Sequence, residues 1–408
     1  MSGAGAGDAA DAGGAEIPGV DPAVSRAGYG AADVHPFDGV LPQLADAAGY
    51  TPCGLDLAAD EAGRGYWLGL FDRHIASLAE HAVEEAADAG GDAAAVGAAM
   101  AGVVSGFRDW LKRCAADPAG MAAQFGEGGR LTILDICYER ERRLRAAGVA
   151  DPYRLAKERE TEAAVAALPA LLGRLDAMDE AERADAVTRG VFAGNIFDLG
   201  ASETATMFRQ ERVDFAGTLG RLKGRPWLVD DGDAWVAAMR RGWGCALVFV
   251  DNAGPDVVLG MLPLVRELLR RCGAVIVAAN TFPSLNDVTI DELGALVERV
   301  AAGDAELAAA RRDGRLVLVG SGNGAPLIDL RRLSPELVEL AGAGVGGAAV
   351  DLVVLEGMGR GVESNWEAAF ATDVLKVCMV KDAGVAAGLG GELFDLVLKF
   401  EPAGGNRA

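Results

Sequence analysis

Two rhythms divide this chain. From about residue 55 to 241, apolar side chains recur at three- and four-residue steps, as at Leu68, Leu70, Phe71, Ile75 and Leu78 and again at Val165, Leu168, Leu171, Leu172 and Leu175. That spacing predicts amphipathic helices and no strands. The pattern changes at Gly242-Trp243-Gly244. Beyond it, short β-branched runs alternate with amphipathic stretches, the arrangement that builds a parallel sheet. Strands are expected over 245–250, 274–279, 316–319, 350–355, 375–380 and 393–400. A helix is expected over 257–271, with Pro255 suited to its first turn and Gly273 to its stop. A second opens at the capping box Thr289-Ile-Asp-Glu292 and runs to about 302, a short one covers 307–312, and Ser334-Pro335 starts another. The expected class is therefore α/β: a mainly helical subdomain over 20–241, then a Rossmann-like α/β/α sandwich with a mostly parallel sheet over 242–408.

Two stretches read differently. Residues 1–19 are nearly all Ala, Gly and Asp, with too little apolar surface to offset the entropy of ordering them, so a disordered tail is expected. The Ala- and Gly-rich run 93–107 falls short of the roughly 18 residues a membrane span needs and is flanked by Asp92 and Arg108. It reads as a buried helix.

Composition narrows the chemistry. With 408 residues, 51% of them hydrophobic, the chain is too long for one small module and can bury a large core. The 38 basic against 60 acidic residues give a net charge of −22, which argues against nucleic acid or an anionic membrane as the partner. Six scattered cysteines without a C-x-x-C pair, and no secretory signal, point to the cytoplasm and away from structural zinc or a disulfide framework. The three histidines, His35, His74 and His81, all lie early in the chain, which disfavours a Ser-His-Asp hydrolase.

In an open parallel sheet, ligands bind beyond the carboxyl ends of the strands. The segments that follow the first five expected strands are Asp251-Asn252-Ala-Gly254-Pro-Asp256, then Asn280 with Pro283-Ser-Leu-Asn286-Asp287, then Gly320-Ser321-Gly322-Asn323-Gly324, then Glu356-Gly-Met-Gly-Arg360, then Lys381. Asp, Asn and Gly also suit ordinary turns and caps, which accounts for any one of these loops but poorly for Glu356, Arg360 and Lys381 together. Asp251, Asn252 and Asp287 offer oxygen ligands only, the set that a hard or borderline divalent cation prefers. A cation, a lysine and backbone amides at a glycine-rich edge suit a phosphoryl group. No Walker A loop is present, and the first strand is not followed by Gly-x-Gly-x-x-Gly. The glycines at 342, 344, 346 and 347 belong to a helix-to-strand linker.

These segments resemble the metal-dependent damage-control phosphatases, once called domain of unknown function 89, and in particular their second subfamily. The resemblance runs from about residue 41 to 401. It is carried by Val250-Asp-Asn-Ala-Gly-Pro-Asp256, Ala279-Asn-Thr-Phe-Pro-Ser-Leu-Asn-Asp-Val-Thr289 and Glu356-Gly-Met-Gly-Arg360. Phe192-Ala-Gly-Asn-Ile-Phe-Asp198, Leu375-Lys-Val-Cys-Met-Val-Lys381 and Leu389-Gly-Gly-Glu-Leu-Phe394 add to it. Asn323-Gly324 departs from the Asn-Asp of some relatives. The resemblance implies a manganese, cobalt, nickel or magnesium ion on Asp251, Asn252 and Asp287, and a phosphorylated small molecule met by Lys381, with Asn195 and Asp198 facing the cleft. The implied substrate is 4'-phosphopantetheine or its oxidised forms, whose removal pre-empts damaged coenzyme A. Without the family, Gly194-Asn195 reads as a turn. Asn280, Ser321, Asn323 and Arg360 are candidate substrate contacts, with the amides of the Gly320-Ser321-Gly322 loop on the phosphoryl oxygens. Asp256 or Glu356 is the candidate proton carrier and Asp251 the centre of the site. Rival readings are a sugar-phosphate phosphatase, a metal-binding regulatory protein without turnover, and a carboxyl methyltransferase, although the glycine-rich loop expected for the last is not evident.

Overall fold

The computed structural model describes residues 36–196 and 215–404. Seven strands form one sheet: β1 (Val229–Asp230), β2 (Trp243–Phe249), β3 (Cys272–Ala279), β4 (Leu316–Gly320), β5 (Val350–Glu356), β6 (Asp373–Met379) and β7 (Leu396–Glu401). Their order is β1-β7-β6-β5-β2-β3-β4, and every pair is parallel except β6 with β7. The expected mostly parallel sheet is what the chain forms. Val248 in β2 sits opposite Val277 of β3 on one side and Val354 of β5 on the other. The chain therefore leaves β2 in one direction for β3 and β4, and returns on its other side as β5 and β6. This reversal makes a topological switch point at the ends of β2 and β5, and it is in the crevice at such a point that open α/β sheets bind their ligands.

The strand runs are apolar almost throughout because both faces are covered. Ala246, Val248, Val275, Val277, Leu352 and Val354 share one core with helices α5 (Arg154–Asp176), α6 (Glu180–Asn195) and α8 (Gly232–Arg241). The alternate residues Cys245, Leu247, Phe249, Ile276, Val353 and Leu355 pack on the other face, with Leu41, Leu44 and helix α12 (Pro335–Ala343). Helices α1 (Glu61–Asp88), α2 (Ala93–Ala116), α3 (Pro118–Phe125) and α4 (Ile133–Ala146) enclose a third core, which Leu285, Ala325 and Leu327 enter from the loops at the sheet edge. A short α7 (Phe215–Arg221) precedes β1.

Several expectations need correction. β1 lies in the stretch read as strand-free; at two residues it is too short to show alternation, and its pairing with β7 defines it. The expected helix at 257–271 starts one residue earlier as a π-helical turn, Asp256–Met261, and continues as α9 (Leu262–Leu269). Gly273 lies inside β3 and is not a helix stop. The last strand begins at Leu396, since residues 393 and 394 make a turn with Phe394 at φ +66°. The helix containing 93–107 is amphipathic: only Met100, Val103 and Phe107 of that run are buried. Helix α10 (Ile290–Ala301) does open on the expected box, Thr289 N–H donating to Glu292 Oε2 at 2.8 Å, and α11 covers Ala305–Arg312. The N-terminal 19 residues lie outside the described residues, as does Asp198.

Candidate functional site

The segment after β2 carries Asp251 and Asn252, and backbone bonds tie it to the segment that carries Asp287. Val288 N–H donates to Asp251 O at 2.9 Å and Ala253 N–H to Asn286 O at 2.9 Å, so that Asn252 and Asp287 face each other as an isolated antiparallel bridge. Residues 35 positions apart are thus held side by side by main-chain geometry, before any side chain acts.

Arg360 spans the two acids. Its Nη1 pairs with Asp251 Oδ1, and its Nη2 with Asp287 Oδ2 at 2.8 Å. It sits in a second π-helical turn, Met358–Glu363, directly after β5. In that turn Ser364 N–H reaches Gly359 O, five residues back, at 3.0 Å. Both π turns follow strands of the crevice, and both carry site residues, Asp256 and Arg360; extra residues of this kind recur at functional positions. Gly357, which begins the second, has φ +96°, and a Cβ there would lie 2.3 Å from Asp251 Oδ2. Glycine is required at this position both for conformation and for space.

Glu356 ends β5 fully buried. One oxygen accepts the Asp251 N–H at 2.8 Å, and the other the Asn195 amide at 2.7 Å. Asn195 is the last residue of α6, with no exposure, and so is not a turn residue. Its Nδ2 also reaches Asp256 Oδ2 at 3.1 Å, and its Oδ1 accepts Met379 N–H at 3.0 Å. Asn252 Nδ2 donates to the same Asp256 oxygen at 2.8 Å. Lys381 Nζ donates to the Asn195 carbonyl at 2.7 Å. Helix α6 can come this close because Gly194 has no side chain: a Cβ there would be 3.0 Å from Asp256 Cα.

Asn280 and Asn323 form a supporting chain. Asn323 Nδ2 donates to Asn280 Oδ1 at 3.2 Å and to two loop carbonyls, and Asn280 Nδ2 donates to Asp287 Oδ2 at 2.9 Å. The loop after β4 does not offer the amide cradle expected of it. Ser321 N–H is engaged by Ala279 O and Gly322 N–H by Thr281 Oγ1, both at 2.8 Å, while Ser321 Oγ accepts Asn323 N–H at 3.2 Å. The Ser321 and Gly322 amides are therefore not available to phosphoryl oxygens.

The donor set fits a divalent cation. Asp251, Asp256 and Glu356 bring one oxygen each within 4.8 Å of one another, all buried, and Asp287 lies across Arg360 from them. Among the described residues, these four carboxylates are accompanied by Arg360 and Lys381, and all six side chains are buried. Buried charge of this kind is paired or binds metal. Burial also acts on the neighbouring Cys378, whose thiol is pushed up to about 12 although Lys381 opposes the shift.

Sequence reasoning did not single out three further buried residues that reach the crevice loops: Glu141 and Arg145 on α4 and Lys157 on α5. Burial works against the Lys157 ammonium, but the carboxylates of Asp151 and Glu292 outweigh it and raise its pKa above the ordinary lysine value. The available signal was charge within a buried stripe, Glu141 and Arg145 following Leu134, Cys137 and Tyr138 at helical spacing.

Known proteins are similar to this chain in sequence and in fold. Residues 72–397 match the damage-control phosphatase ARMT1-like domain. A damage-control phosphatase of Arabidopsis thaliana is 37% identical over 82% of this chain and 87% of its own length. A mouse 4'-phosphopantetheine phosphatase is 32% identical over 88% of this chain. Pantothenate kinase 2 of Arabidopsis is 38% identical over 89% of it, and the chain spans 48% and 42% of the length of these last two relatives. The crystal structure of a DUF89 family protein from Pyrococcus horikoshii shares the fold with a TM-score of 0.52 at 16% identity, covering 80% of this chain and 96% of that one. Among the described residues, no helix is long and apolar enough to cross a membrane. By the extent of the family match and its identity with the Arabidopsis phosphatase, the chain belongs to the damage-control phosphatase ARMT1-like family.

Proposed function

We propose that this chain hydrolyses a phosphomonoester with the help of a divalent cation, and that the substrate is 4'-phosphopantetheine or an oxidised form of it. The observation that carries the reading is the buried cluster at the β2–β5 crevice, where Asp251, Asp256, Asp287 and Glu356 converge with Arg360 and Lys381. The substrate class rests on the mouse relative, a 4'-phosphopantetheine phosphatase.

In this reading Asp251, Asn252 and Asp287 would hold the cation once Arg360, which spans the two carboxylates, turns onto the phosphate, with Asp256 and Glu356 completing the acidic surroundings; when bound, the cation would polarise the phosphoryl group and acidify water. Arg360 and Lys381 take up the charge on the non-bridging oxygens as the transition state develops. Glu356 has both oxygens engaged, by Asp251 N–H and by Asn195 Nδ2, so its part is to fix those two groups. Asp256, held at Oδ2 by Asn195 and Asn252, is then the group that accepts the proton of the attacking water. Direct attack by water is favoured over a phospho-aspartate on Asp251, because the position two residues on is Ala253, where the second aspartate of such enzymes would stand.

The test is phosphate release by metal-stripped protein, resupplied separately with magnesium, manganese, cobalt and nickel. The substrates are 4'-phosphopantetheine, its oxidised forms and a panel of sugar phosphates. Turnover restored by metal and lost by about a hundred- to a thousandfold in Asp251→Ala is expected, the usual scale for removing a group that stabilises the transition state. Absence of release with every metal from folded protein would sink the reading, and preference for a sugar phosphate would overturn the substrate.

A further inference from the structure

The loop between β3 and α10 carries Asp287, and it contains a conformational outlier. Leu285 has φ +48°, a left-handed backbone that a branched-chain residue adopts only when its surroundings impose it. What imposes it comes from the helices. The Leu285 side chain is buried in the core enclosed by α1–α4. On α4, Arg145 Nη2 donates to Pro283 O at 3.0 Å, and its guanidinium lies 4.9 Å over the Phe282 ring. The same nitrogen reaches Gly324 O, in the loop after β4, at 3.4 Å.

One turn earlier, Glu141 Oε1 accepts the Ser284 hydroxyl at 3.0 Å and two bonds from Arg140, at 2.7 and 2.9 Å. Its other oxygen has no hydrogen-bond partner among the described residues although the residue is fully buried, an arrangement that folding alone does not favour. At the far end of the loop, Lys157 of α5 reaches Asp287 O at 3.5 Å and pairs with Glu292 at 2.7 Å. Each residue from 282 to 285, and then 287, is thus held from the helical side.

We infer that Glu141, Arg145 and Lys157 are positioning residues: the helical layer clamps the Phe282–Asp287 loop in a strained shape that presents the Asp287 carboxylate to Asp251. The part of this inference that concerns the cation rests on the function proposed above. The clamp itself does not touch substrate or cation.

The experiment uses the full chain, metal-stripped, with manganese as the probe, and compares Arg145→Gln, Arg145→Lys and Ser284→Ala with Asp251→Asn. Val103→Ala, a cut in the same helical core at a residue of α2 with no hydrogen bond to the loop, serves as a control. Calorimetric titration gives the manganese Kd, thermal unfolding gives Tm, and hydrogen exchange follows the peptide over 280–289. Losing a residue that orients a metal ligand weakens affinity by roughly ten- to a hundredfold. That loss is expected for Arg145→Gln and Ser284→Ala together with faster exchange in the loop, a smaller effect in Arg145→Lys, and an unchanged Kd in Val103→Ala despite its lower Tm. If Arg145→Gln does not fold, Ser284→Ala and Arg145→Lys decide the matter. Wild-type exchange and Kd in the folded loop variants, or equal weakening in Val103→Ala, would overturn the clamp. Wild-type protein that binds no manganese, with exchange still accelerated in the loop variants, would overturn the cation reading and leave the clamp standing.

Discussion

Gly357 shows how tightly single atoms are constrained at the crevice. A methyl group there would lie 2.3 Å from Asp251 Oδ2, on a backbone with φ +96°. Gly357→Ala is expected to cost about 1–3 kcal/mol of stability from backbone strain and to abolish cation binding by displacing Asp251. Thermal unfolding and manganese titration check the two effects separately; a variant that binds the cation normally would show that Asp251 is not its ligand. Most residues around this point could be read from the sequence, because each polar group comes directly after an apolar run that ends in it: Asp251 and Asn252 after β2, Asn280 after β3, Glu356 at the end of β5, Lys381 after β6. What the runs did not show is how the groups divide the work. Asn280 and Asn323 act on Asp287 and on loop carbonyls, and the amides after β4 are already engaged.

Elements bring these residues together through close approach. Helix α6 and the π turn at 256–261 meet at Gly194 and Gly260, where a Cβ on Gly260 would be 3.3 Å from Gly190 O. Gly194→Ala is expected to leave the sheet folded and to reduce phosphate release at least tenfold, because the new methyl pushes Asp256 away from Asn195; steady-state kinetics beside circular dichroism checks this. If the variant keeps full turnover, Asp256 has no part in proton transfer. The π turns were not legible. The stretch 257–271 reads as a plain helix and 358–363 as the segment after a strand, because hydrophobic spacing does not separate a single π turn from either, while the structure places Asp256 and Arg360 in such turns. The capping box at Thr289 was legible, since its chemistry lies within four consecutive residues.

At the scale of the whole molecule, all six cysteines are free and buried. Burial pushes the thiols of Cys114, Cys137, Cys245, Cys272 and Cys378 up to about 12, and that of Cys53 higher still. The thiolate is the reactive form, so a disulfide reagent at pH 8 is expected to leave native protein nearly unlabelled and to titrate six thiols after unfolding in guanidinium. Rapid labelling of one or more in native protein would contradict this packing. The sequence by itself determined the α/β class, the parallel strands after residue 242, the capped helices and the polar groups at the strand ends, because those features depend on periodicity and on neighbours within a few positions. Only the tertiary structure decided the strand order that opens the crevice, the two-residue β1, the burial of Asn195 at a helix end, and the grip of α4 and α5 on the Asp287 loop. The contacts behind them reach far along the chain, from 61 positions between Asn195 and Asp256 to 184 between Asn195 and Met379. Local pattern carries no record of such a contact, because the contact comes from how the layers pack.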